Sequence, residues 1–135
     1  MISEGLVDEG LTVVKALRSR YDGLARNPWN EYECGNYYAR AMASYGLLIA
    51  LSGFRYSAPA RTLYLEPKLA VDPFKVFFST ATGWGTITVQ GNQVSIHLSE
   101  GLLLVDTLVI TLNGKTTTLN PQLSIKKGKK AVIPF

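Results

Sequence analysis

The spacing of apolar and polar positions changes once along the chain, from a helical period to a period of two. Leu6, Gly10, Val13, Val14, Leu17 and Tyr21 recur at three- and four-residue steps, which predicts one face of a helix. Ser3 is the expected N-cap, with Glu4 favouring the positive helix end and Lys15, Arg18 and Arg20 favouring the negative one. Asp22-Gly23 ends this segment. A second helix is predicted from Asn36 to Leu51. Its apolar stripe is Tyr38, Ala41, Met42, Tyr45, Leu48 and Ile49, and a second stripe of Ala39, Ala43, Gly46, Ala50 and Gly53 is uniformly small. No charge lies between Arg40 and Arg55, so the helix is apolar nearly all round and calls for burial on several sides. Two helices alone cannot supply that cover.

Beyond this point alternation predicts strands at Thr62–Leu65, Lys75–Thr80, Gly85–Gln90, Gln93–Ser99, Leu108–Leu112, Lys115–Leu119, Leu123–Lys126 and Ala131–Ile133. Gly91-Asn92 and Asn113-Gly114 are two-residue hairpin turns, since both pairs tolerate positive φ. The expected class is therefore α+β, with helices followed by an antiparallel β-sheet or small β-sandwich.

Composition narrows the chemistry. With 135 residues, 47% of them hydrophobic, the chain can build a packed core. One cysteine, Cys34, forbids an intrachain disulfide and a thiolate zinc cluster, and one histidine, His97, forbids a two-histidine metal site. No metal and no cofactor is expected. The N-terminus has no basic and apolar leader pattern, so a cytoplasmic location is expected. The uncharged stretch from Ala41 to Phe54 falls short of the ~20 residues that span a bilayer, so the chain is expected not to be transmembrane.

Residues 1–60 balance six basic against six acidic side chains, whereas residues 61–135 carry eight basic and four acidic, hence the whole excess of +4. Four of those eight lie in Lys126-Lys127-Gly128-Lys129-Lys130. Without interleaved aromatics this run reads as a lysine-rich turn guarding a sheet edge rather than as a nucleic-acid site.

Candidate chemistry gathers in the irregular segment 24–35. Glu31 and Glu33 are closely spaced carboxylates among Trp29, Tyr32, Tyr37 and Tyr38. Carboxylates accept strongly from sugar hydroxyls, arginine donates in a fixed fork, and aromatic faces stack on sugar rings. Arg40 is the lone charge on its helix and needs a partner, which Glu31 or Glu33 can supply. The alternative is an ion pair that only anchors the loop. Cys34 has no neighbouring base and reads as a small hydrophobe. His97 alternates with Ile96 and Leu98 and is expected to face solvent or the sheet rim. Trp84, between Gly83 and Gly85, is expected to pack beneath the helices.

The stretch Arg26-Asn27-Pro28-Trp29-Asn30-Glu31-Tyr32-Glu33-Cys34-Gly35-Asn36-Tyr37-Tyr38-Ala39-Arg40-Ala41-Met42-Ala43-Ser44-Tyr45 resembles the signature near the end of the catalytic domain of glycoside hydrolase family 116. That family includes the non-lysosomal glucosylceramidases and microbial β-glucosidases. Leu51-Ser52-Gly53-Phe54-Arg55-Tyr56 continues the likeness, which is dense across 26–56, spans roughly 10–90 and is weak after 90. The resemblance implies that residues 1–56 are two closing helices of an (α/α)6 barrel and that 57–135 form a β extension. It implies a retaining mechanism whose catalytic carboxylates lie upstream, so no catalytic residue is expected in this chain. It also implies that Glu31 and Arg40 bind the outer hydroxyls of a glucoside substrate. Tyr37 and Tyr45 depart from the family pattern, where histidine and tryptophan are common.

The expected function is thus the C-terminal segment of a β-glucosidase-like enzyme, partnered by an upstream catalytic polypeptide, inactive alone and without a nucleic-acid partner. The alternatives are a non-catalytic carbohydrate-binding or interaction module, and the remnant of a truncated gene.

Overall fold

The computed structural model describes residues 1–21, 24 and 39–135, with the side chains of all of these except 39–43. The chain divides into two compact units, Met1–Leu51 and Ser52–Phe135.

The first unit holds a short 3-10 turn, Ile2–Glu4, and two helices, α1 (Val7–Arg18) and α2 (Ala39–Ser52), the last residue of which falls in the second unit. Ser3 is not the expected N-cap. Gly5, at φ +90°, closes the 3-10 turn first, and the helix starts after Leu6 with no side-chain cap. The turn folds back so that Ile2 lies on Gly10, where a Cβ would meet the Ile2 side chain at 2.5 Å. Asp8 and Glu9 in the first turn of α1, and Lys15 and Arg18 in the last, sit where the helix dipole favours them. Leu6 just before α1, Val13 and Leu17 on α1, and Tyr45 and Ile49 on α2 are exposed. Asp22-Gly23 and Asn36–Tyr38 lie outside the described residues.

The second unit is all β. Nine strands run in order: β1 (Arg55–Ser57), β2 (Thr62–Leu65), β3 (Phe74–Thr80), β4 (Gly83–Gln90), β5 (Gln93–Val105), β6 (Thr107–Leu112), β7 (Lys115–Leu119), β8 (Leu123–Lys126) and β9 (Lys130–Pro134). They form a four-stranded sheet, β1-β2-β6-β7, and a five-stranded sheet, β3-β4-β5 with β8 and β9 both paired to β5.

This overturns the expected class. The chain is mostly β, with two helices among the described residues, and an α+β fold built on barrel-closing helices is not what it adopts. The physical reason lies in where apolar surface is buried. Among the described residues, Ile2 is the one buried apolar side chain before Ser52; the others belong to the strands. The core is built by alternation: Phe74, Val76 and Phe78 on β3, Ile87 and Val89 on β4, and Val94, Ile96 and Leu98 on β5 point inward. Leu63, Leu65, Leu108 and Ile110 do the same from the smaller sheet, so the two inner faces make one sandwich core.

The smaller sheet is also not purely antiparallel, because β2 and β6 pair parallel. The carbonyl of the residue before β2 bonds to the start of β6. Arg61 O accepts from the N–H groups of both Asp106 and Thr107, at 2.8 and 3.3 Å, and the Arg61 guanidinium approaches Asp106 at 3.6 Å. Across the β1–β2 pair the Arg55 guanidinium lies 4.0 Å from the Tyr64 ring centroid, over its face.

β5 extends past the predicted end at Ser99 because it carries a bulge there. Trp84 pairs with Glu100 while Gly85 pairs with Leu98, leaving Ser99 as the extra residue. Inward positions accordingly switch from Val94, Ile96 and Leu98 to Leu103 and Val105. Gly101, at φ +88°, completes the bend: a Cβ there would lie 2.0 Å from the Thr82 carbonyl oxygen.

Candidate functional site

Glu31 lies outside the described residues, as do Trp29, Tyr32, Glu33, Cys34, Tyr37 and Tyr38. Arg40 is placed by its backbone in the first turn of α2. Among the described residues no group of three His, Cys, Asp or Glu side chains is arranged to hold a metal ion. No helix among them is long and apolar enough to cross a membrane.

The side chains that converge into a distinctive surface lie instead on the outer face of the five-stranded sheet. Strand alternation that sends Val76 and Phe78 inward sends Lys75, Phe77 and Ser79 outward, and on β4 it sends out Trp84, Thr86 and Thr88. Phe77 and Trp84 are 40% and 46% exposed, with ring centroids 6.1 Å apart and planes tilted by 41°. They are diagonal neighbours, since Phe77 pairs with Thr86 and Ser79 with Trp84, a separation that aromatic side chains bridge.

Cross-strand register extends the platform sideways. Phe77 pairs with Thr86, Thr86 with His97, and His97 with Lys130, so these four form one row from β3 to β9. Four strands at 4.7–4.9 Å spacing make that row about 14 Å long. The next row runs Lys75, Thr88, Ser95, Val132. His97 is exposed on this face, as alternation with Ile96 and Leu98 implies.

Charge on the face is one-sided. Glu100, opposite Trp84, is engaged by Lys127 at 2.7 Å. Asp72 sits at the end of the sheet, where its carboxylate accepts from the Gly91 N–H at 3.4 Å. Among the described residues Lys75 and Lys130 make no ion pair. The lysine-rich turn joins β8 to β9 and is pinned by backbone bonds from Lys127 N to Gly101 O and from Gly128 N to Leu98 O, at 3.0 and 2.7 Å. β9 is a sheet edge, and Lys130 and Pro134 on it are residues that discourage further pairing.

Trp84 thus shares the outer face of the five-stranded sheet with Phe77. Part of the signal was present in the sequence: Phe77 is a large aromatic at an outward position of an alternating strand, between Lys75 and Ser79, but its nearness to Trp84 depends on the register of β3 on β4. One exposed apolar side chain is ordinary, whereas two large aromatics in contact form a patch. Compared with known proteins, the chain matches no family model and no curated protein.

Proposed function

We propose that this chain is a non-catalytic, carbohydrate-binding part of a glycoside hydrolase of the family 116 kind, that is, of a retaining β-glucosidase or glucosylceramidase. The observation that best supports the carbohydrate-binding role is the exposed Phe77–Trp84 pair beside the hydroxyls of Ser79, Thr86 and Thr88. Aromatic faces take the apolar side of a sugar ring, while hydroxyl and imidazole groups exchange hydrogen bonds with its hydroxyls.

The residues carried by the resemblance support the glycosidase half of the reading. Arg40 lies in the first turn of α2, after the segment that holds Glu31, and in this reading the two bind the outer hydroxyls of a glucoside. The nucleophile and the acid/base carboxylate then belong to an upstream catalytic polypeptide, and this chain alone is inactive. A cytoplasmic setting fits a chain with a single cysteine.

Calorimetric titration of the whole chain with glucose, cellobiose and longer oligosaccharides tests the reading. Saturable binding that Trp84→Ala removes is the expected result. Absence of binding to any saccharide contradicts the carbohydrate role. Hydrolysis of an aryl β-glucoside by this chain alone at enzyme-like rates contradicts the non-catalytic one.

A further inference from the structure

The charge around the aromatic pair specifies more than a sugar. Lys75 flanks Phe77 on the same strand face, and Lys130 closes the Phe77–Thr86–His97 row at its far end. The carboxylate opposite Trp84, Glu100, is occupied by Lys127. The second unit as a whole is positively charged, with nine basic against four acidic side chains in Ser52–Phe135. A neutral glycan gains little from the ammonium groups of Lys75, beside Phe77, and Lys130, at the far end of the row, neither of which makes an ion pair among the described residues. An acidic glycan places carboxylates along its chain at intervals that such groups can meet, each forming a charge-assisted hydrogen bond.

We infer that the outer face of the five-stranded sheet binds an acidic polysaccharide, with Phe77 and Trp84 stacking on one ring and Lys75 and Lys130 engaging carboxylates on either side. This rests on the carbohydrate-binding reading given above and narrows it. A single-stranded nucleic acid is the competing polyanion. It is served by a series of separate aromatics, one for each successive base. Here Phe77 and Trp84 touch each other and offer one platform, surrounded by hydroxyls.

The test is a set of titrations of the whole chain with oligogalacturonate, a cello-oligosaccharide of the same length and a thymidine oligonucleotide, each at low and high salt. The expected result is binding of oligogalacturonate at least tenfold tighter than the neutral oligosaccharide. That preference should weaken with salt and vanish in the Lys75→Ala/Lys130→Ala double variant, which changes only exposed side chains. Equal affinity for both saccharides, lost together in Trp84→Ala, overturns the acidic preference and leaves the carbohydrate reading standing. Binding of neither saccharide overturns both. Tighter binding of the oligonucleotide overturns the inference and assigns the face to nucleic acid.

Discussion

Phe77 and Trp84 sit on adjacent strands with their rings in contact at 6.1 Å between centroids, on the side of the sheet turned away from the sandwich core. A cross-strand aromatic pair of this kind stabilises a sheet by only about 0.2–1 kcal/mol. Alanine at either position is therefore expected to lower stability by no more than about 1 kcal/mol while abolishing saccharide binding. Urea unfolding followed by calorimetric titration of the same variant separates the two effects.

Gly101 makes the bend in β5 possible. Gly101→Ala combines a left-handed conformation, costing about 1–2 kcal/mol for a non-glycine residue, with a Cβ driven to 2.0 Å from the Thr82 carbonyl oxygen. Destabilisation well above 2 kcal/mol is expected. Gly128→Ala is the control: its φ is +71° but a Cβ there meets nothing within 4 Å, so a loss of only about 1–2 kcal/mol is expected. Equal losses in the two variants, measured by chemical denaturation, contradict the role assigned to the bend.

Tyr56 ties β1 to the long strand, its hydroxyl donating to the Leu104 carbonyl at 2.6 Å. Tyr56→Phe removes that bond and is expected to cost about 1 kcal/mol. Burial raises the Tyr56 pKa above the ordinary value of 10.0; the nearby Arg61 opposes this and Asp106 adds to it. Above pH 10 the unfolded chain therefore holds fewer protons at this position than the folded one, and stability falls as pH rises. Below that pH both states keep the proton and the contribution is intact. The difference in denaturation midpoint between wild type and Tyr56→Phe is expected to shrink above pH 10 and to stay constant between pH 6 and 9.

The Lys127–Glu100 pair is short but exposed on both sides, at 67% and 51%. Exposed pairs contribute about 0–1 kcal/mol. Glu100→Gln is expected to leave stability within about 0.5 kcal/mol and to strengthen binding of an acidic saccharide by releasing Lys127.

Much of the β unit was legible because alternation is a local signal. β2, β7 and β8 have the predicted limits Thr62–Leu65, Lys115–Leu119 and Leu123–Lys126. The Asn113-Gly114 turn takes positive φ at both residues, as its composition requires, whereas in Gly91-Asn92 only Gly91 does. The continuation of β5 was hidden because the bulge at Ser99 breaks the period that defines a strand. The parallel pairing of β2 with β6 was hidden because Thr62 and Thr107, which open the two strands, lie far apart in the chain and neither strand's own pattern names its partner. The fold class was hidden for a different reason. A strongly apolar α2 suggested a helical core, yet its described side chains Tyr45 and Ile49 are about half exposed, and the buried apolar groups lie in strands that each look modest alone. The platform escaped because Phe77 and Trp84 become neighbours only through the register of β3 on β4.

The most direct test is residue-resolved NMR of the whole chain during titration with an oligosaccharide. If the sheet face is the binding surface, shifts will concentrate on the Trp84 indole N–H and on the amides of Phe77, Thr86, His97 and Lys130. Shifts confined to residues 26–45, with the sheet unaffected, would contradict that assignment and leave Glu31 and Arg40 as the sugar-binding residues.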